Sequence, residues 1–359
     1  MGRRFLGTRL GLTAALALLG TLGPGGRWGE PEARADELAA TAAAPAPAPA
    51  VRAASGCKLT GTQPGKRGAQ LFDAVTGGRV IASLTGALVP MTLSEIPLDP
   101  TQGRARLSTS AGGSALRLDG YLSTSDLTVF TTRDIPVIAS HVWITSGQKV
   151  KLVSATADTL RAELSIAGTE GQGARSSAPC DAFSLQPGTP RPMEIPGNAR
   201  GYMSKGTKLD LYDKPNGDVV FSFKIIEGSG LLFWSTESRA GFVHVLSRGD
   251  VSVDAWARVR ELEAMKKGEM RDQYIPPTTT FSGAKLALEK PPPVVKATKE
   301  IPIRARRDAK EKPVGVIEAG AEIYVMETIA GWINVLPVSL GITPPDDGGF
   351  WIPAAEAPR

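Results

Sequence analysis

The sequence predicts an all-β protein built as a tandem array of small barrels, and three observations carry that prediction. Apolar residues alternate in short runs, as in Ile323-Tyr324-Val325 and Trp332-Ile333-Asn334-Val335, and glycines such as Gly315, Gly320 and Gly331 separate the runs. Period-two alternation in short, glycine-bounded runs marks half-buried antiparallel strands. Similar groups of runs recur about four times along the chain, and proline-rich stretches punctuate them.

The N-terminus precedes this array. Arg3, Arg4 and Arg9 form a basic region, Leu10 to Leu22 is apolar, and Ala33-Arg34-Ala35 is an A-x-A cleavage pattern. Residues 1–35 therefore read as a signal peptide cut after Ala35. The apolar run is shorter than the roughly 20 residues a spanning helix needs, so no transmembrane segment is expected in the mature chain. Arg3-Arg4-Phe5-Leu6 keeps a twin-arginine route open beside the general one. The expected location is the periplasm or the cell surface.

Charge falls once this segment is removed. Its five Arg and two Glu supply +3 of the chain's +5, which leaves +2. So small an excess, with no clustered basic surface, argues against nucleic acid as a partner. The two cysteines, Cys57 and Cys180, read in an exported chain as one disulfide. A lipid anchor at Cys57, after Ala54-Ser55-Gly56, and a pair of free thiols are the alternatives.

The elements then follow in order. Residues 36–55 hold an alternating Ala-Pro tract (44–50) and read as a disordered, extended spacer. A first unit spans 56–127, with Ala69-Gln70-Leu71-Phe72, a Gly77-Gly78 turn and Val80-Ile81-Ala82-Ser83-Leu84. A second, degenerate unit spans 128–185 and includes Val142-Trp143-Ile144 and Leu160-Arg161-Ala162-Glu163-Leu164. Residues 186–199, rich in Pro and Gly, form a linker. A third unit covers 200–257, where Asn216-Gly217 between alternating runs signals a hairpin. Helix-forming composition over 258–270 predicts one short helix, and 271–298 reads as a second Pro-rich linker. The fourth unit fills 299–355. Units this short build meagre cores, so docking between neighbours or the disulfide is expected to make up the difference.

The fourth unit resembles a bacterial SH3-like (SH3b) domain. Ile303-Arg304-Ala305 matches the first strand, Gly315-Val316-Ile317 the strand after a variable loop, and Gly320 precedes Ile323-Tyr324-Val325. Gly331-Trp332-Ile333-Asn334-Val335 matches the Gly-Trp-x-x-Val segment, and Phe350-Trp351-Ile352 the closing aromatic strand. The third unit matches more loosely through Gly241-Phe242-Val243-His244-Val245, and the first and second less again. The resemblance implies a cell-envelope role: such tandem domains often bind peptidoglycan or accompany a hydrolase, and no hydrolase domain is visible here.

Catalytic chemistry finds little support. The only histidines, His141 and His244, lie in different units, and His244 has Ser247 and Asp250 nearby only in sequence. No zinc spacing or phosphate-cradling glycine loop is present, so no enzyme activity, metal or cofactor is expected. The basic run Arg304, Arg306, Arg307, Lys310, Lys312 is either a solvated loop tip or a patch for an anionic polymer. Strand aromatics are mostly core anchors, but in SH3-like barrels some line a shallow groove. Tyr324 and Trp332 with Arg304 are the candidate ligand-binding residues on that basis. The expected function is binding of an envelope polymer or envelope protein. A structural adaptor without a small ligand, or a targeting subunit for a separate hydrolase, are the alternatives.

Overall fold

Four times along the chain the same order of elements recurs: an opening strand, a hairpin, a three-stranded meander and a one-turn 3-10 helix. The computed structural model describes residues 54–111, 116–266, 280–346 and 348–358, and all of these belong to one compact unit. The first repeat opens with Leu59–Pro64, continues with the hairpin Gln70–Phe72 and Val80–Leu84 and the meander Leu88–Ser94, Arg104–Ala111, Leu116–Ser123, and ends in the turn Thr124–Asp126. The second has Val129–Thr131, then Ile135–Ile138 with Val142–Ile144, then Lys149–Ala155, Thr159–Ser165 and Gly173–Pro179, then Cys180–Ala182. The third has Arg200–Ser204, Lys208–Tyr212 with Val219–Lys224, then Leu232–Ser235, Phe242–Arg248 and Val251–Arg258, then Val259–Glu261. The fourth has Val294–Lys296, Ile301–Ile303 with Gly315–Ile317, then Glu322–Ile329, Trp332–Pro337 and Phe350–Pro353, then Ala354–Glu356.

The alternation seen in sequence is the cause of the meanders. Leu118 and Leu122 point inward from Leu116–Ser123 while Arg117 and Asp119 face out, and Val89, Met91 and Leu93 do the same from their strand. Burying one such side chain is worth roughly 1.5–3 kcal/mol. Two meander turns use the same dipeptide. Ala240-Gly241 and Ala330-Gly331 both adopt left-handed φ (52° and 80°, 48° and 79°), the two-residue turn that matches strand twist.

The sheets are open, and none closes into a barrel. They cross between repeats instead. The fourth repeat's hairpin pairs with the first repeat's last meander strand, Gly315 opposite Leu118 and Ile317 opposite Leu116. The second repeat's hairpin pairs with the third repeat in the same place, Val142 opposite Val253 and Ile144 opposite Val251. The independent array expected from sequence is thus two interlocked pairs, first with fourth and second with third.

Three further expectations are corrected. No α-helix occurs among the described residues: 259–261 is a 3-10 turn and Leu262–Ala264 is a strand on Arg200–Ser204, so the third repeat extends past 257. Ladder bonds and burial of Leu262 override a helix propensity worth only tenths of a kcal/mol per residue. Residues 267–270 lie outside the described residues. The linker 271–298 ends early, because Val294–Lys296 pairs with Glu322–Tyr324. Its described part is also docked, through the Ala284 N–H donating to the Gly86 carbonyl (2.8 Å) and Phe281 stacking edge-on against Phe130. Ala54–Ser55, at the end of the expected spacer, forms a short strand on Ile96–Pro97. The signal peptide, Ala35 and the Ala-Pro tract lie outside the described residues.

Candidate functional site

Cys57 and Cys180 stand at bonding distance, with Cα atoms 5.5 Å apart. The link ties the start of the first repeat to the 3-10 turn of the second. Beside it the chains meet closely: a Cβ on Gly61 would fall 2.5 Å from the Gln186 backbone nitrogen, so only glycine fits there.

The candidate ligand residues lie on one outward face of the fourth repeat. Trp332, Asn334 and Leu336 share that face by alternation, and Trp351 joins it as the cross-strand partner of Asn334. The loop between Ile303 and Gly315 folds over it. There the Arg304 guanidinium sits 5.8 Å from the Trp332 ring centre and Arg307 sits 5.1 Å from that of Trp351. Cation–π contacts of this kind are worth about 0.5–1 kcal/mol where exposed. The structure therefore brings Arg304 and Trp332 together. Tyr324 lies opposite Leu336, four residues further along the same face, or about 13 Å at strand rise.

The basic run is a built loop. Arg304 Nε donates to the Glu311 carbonyl (3.1 Å), the Arg306 N–H donates to a Glu311 carboxylate oxygen (2.9 Å), and the Lys310 N–H donates to Asp308. The other Glu311 carboxylate oxygen pairs with Arg79 of the first repeat. Two buried polar atoms on this face, Arg304 Nη1 and Asn334 Oδ1, have no hydrogen-bond partner, a condition that costs about 1–3 kcal/mol each. Sequence reasoning passed over Asn334, held Arg307 only as part of the basic run and held Trp351 only as part of the closing aromatic strand. Asn334's place beside Trp332 could have been found by extending the alternation along that strand. Trp351 is itself only 8% exposed, covered by the basic loop, and Trp234 of the third repeat, at 4%, is a core residue.

The two histidines converge on one residue. His244 Nε2 lies 2.7 Å from Asp254 Oδ1, and His141 Nδ1 lies 3.1 Å from the Asp254 carbonyl oxygen. His244's partner is Asp254, while the Asp250 carboxylate accepts from the Ala167 N–H. Among the described residues no cluster of three or more His, Cys, Asp or Glu is arranged to hold a metal ion, and no helix is long and apolar enough to cross a membrane. Comparison with protein families, with curated proteins and with solved structures finds no match.

Proposed function

We propose that this chain is an exported, non-catalytic scaffold of four SH3-like units that engages a protein partner in the cell envelope. One observation carries the reading. Both interlocked pairs join through continuous backbone ladders in the same register, so the repeats form a stiff body. A protein that delivers separate ligand-binding modules on linkers has no use for such fusion, whereas a scaffold does. The recurring meander followed by a 3-10 turn supports the SH3-like assignment, and the cysteine pair fits an oxidising compartment.

A second reading rests on a different observation. The partly exposed Arg304–Trp332 stack, with the exposed Arg307 beside it, forms a face suited to an anionic or glycan polymer such as peptidoglycan. Co-sedimentation of residues 36–359 with insoluble peptidoglycan sacculi at low and moderate salt separates the two. The scaffold reading expects no pelleting, or pelleting that salt abolishes. Saturable pelleting that survives salt and disappears in Trp332→Ala would replace it with the polymer reading.

A further inference from the structure

The opening strand of each repeat has one edge paired with its own meander and one edge facing away. In the second repeat Phe183–Ser184 covers the outer edge, with Phe183 opposite Thr131 and Ser184 opposite Phe130. In the third, Leu262–Ala264 covers Tyr202 to Ser204. Both covering strands start directly after the 3-10 turn, and both begin with a large apolar residue that is buried: Phe183 at 4% exposed and Leu262 at 7%. In the first repeat the cover comes from another repeat altogether. The Leu185 N–H and the Ser184 hydroxyl both donate to the Thr60 carbonyl at 3.0 Å, and Leu185 is fully buried.

The fourth repeat differs. Directly after its 3-10 turn stands Ala357, only partly buried, and then Pro358, which has no N–H to donate. Among the described residues no strand pairs with the outer edge of Val294–Lys296, which is the edge strand of its sheet. The direction of its free groups follows from the inner ladder. The Val325 N–H donates to the Pro293 carbonyl and the Ala297 N–H to the Ala321 carbonyl, so residues 293, 295 and 297 bond inward. The N–H and C=O groups of Val294 and Lys296 therefore point outward. Val294 is 50% exposed, and Val295, on the core side, is only partly buried.

We propose that this edge is a strand-acceptor site for an extended segment of a partner protein. The segment pairs antiparallel with Val294–Lys296 and sets one bulky apolar side chain opposite Val295, beside Ala357, with polar residues on either side. This rests on the protein-partner reading above. The occupant is argued from the chain itself: two equivalent edges are covered by strands that lead with a buried apolar residue, and a third is met by the buried Leu185 of a different repeat through a bond to the Thr60 carbonyl. Short edges flanked by Pro and Lys are also a means of discouraging pairing. Length is no bar here, because the covering strands elsewhere are only two and three residues long. Main-chain bonds would supply affinity and the single apolar pocket the selectivity.

Amide hydrogen exchange on residues 36–359 tests this directly. The probe is a synthetic peptide with the sequence of residues 259–266, the chain's own covering segment from the third repeat, against the same peptide carrying Leu262→Asp. The Val294 and Lys296 amides are expected to exchange rapidly in the protein alone and at least about tenfold more slowly with the first peptide, and not with the second. Slow exchange without peptide, no change at millimolar peptide, or equal slowing by both peptides would each overturn the proposal. Val294→Pro removes one outward N–H without touching an inward bond and should abolish the slowing at Lys296; full slowing in that variant would equally sink it. Sacculus pelleting bears only on the function proposed above, so the two readings fail separately.

Discussion

The junction between the first and fourth repeats and the junction between the third and second are built on the same backbone and finished with different side chains. The Asp119 N–H donates to the Val314 carbonyl where the Asp254 N–H donates to that of His141, and the Thr85 N–H donates to the Gly341 carbonyl where the Ile226 N–H donates to that of Gly168. Yet the first junction places Gly315 against the Arg117 carbonyl, whereas the second places Val142 at the corresponding position. Its ion pairs, Arg79–Glu311 and Arg117–Glu318, are replaced in the second by a bidentate Arg248–Asp134 pair at 2.9 Å and by the two histidines around Asp254. Main-chain ladders specify how two repeats dock, and side chains tune how tightly. The two junctions also differ in how their partners meet. Second and third are neighbours in sequence, whereas first and fourth must close a loop over both of them.

The largest break in this arrangement should come from the tether that organises it. Cys57→Ser removes a cross-link spanning 123 residues, for which chain-entropy arithmetic gives about 5 kcal/mol as an upper figure. Chemical denaturation of oxidised wild type against the variant measures it, and an unchanged midpoint would mean that the two cysteines are not bonded in solution. Gly315→Ala comes next. Its Cβ would lie 2.1 Å from the Arg117 carbonyl oxygen, and the required backbone shift should cost about 2–3 kcal/mol. Limited proteolysis should then release the fourth repeat first while the second and third stay joined. If the second–third pair loosens equally, the junctions are coupled rather than separate.

Arg248→Ala probes the other junction. It deletes the bidentate contact to Asp134 made by a side chain that is only 13% exposed, with an expected loss of about 2 kcal/mol. A melting temperature unchanged from wild type would show that the ladder alone holds that pair. The smallest effect concerns the third repeat's hairpin. Burial pushes the Asp210 carboxyl up, but the Lys208 ammonium and the Ser222 hydroxyl together hold it below its ordinary value. Its stabilisation is therefore present above the unfolded value near pH 4 and is lost as pH falls through the lower folded value. Asp210→Asn should flatten the acid side of the stability profile and change neutral-pH stability by less than about 1 kcal/mol. An identical acid slope would refute that assignment.

Particular residues show how far the sequence carries. The meander strands were legible because their cores need only local alternation, as at Leu116-Arg117-Leu118 or Trp332-Ile333-Asn334-Val335. Val294–Lys296 and Leu262–Ala264 were not, since their strand state depends on partners tens of residues away, and their neighbours favour polyproline and helical conformers respectively. For the candidate site, Arg304 and Trp332 were visible as residue types, while their stacking and the part played by Arg307, Asn334 and Trp351 depend on a loop folding back across a sheet.

The amino-acid sequence by itself determined the all-β class, the recurrence of the strand groups and the pairing options of two cysteines, because period, turn residues and counts are local properties. Only the tertiary structure decided which repeats interlock, which edge of the fourth repeat stays uncovered among the described residues, and which aspartate both histidines meet, one at its carboxylate and one at its main-chain carbonyl. Backbone ladders are identical in chemistry along every strand, so the choice among partners rests on the packing of the whole chain.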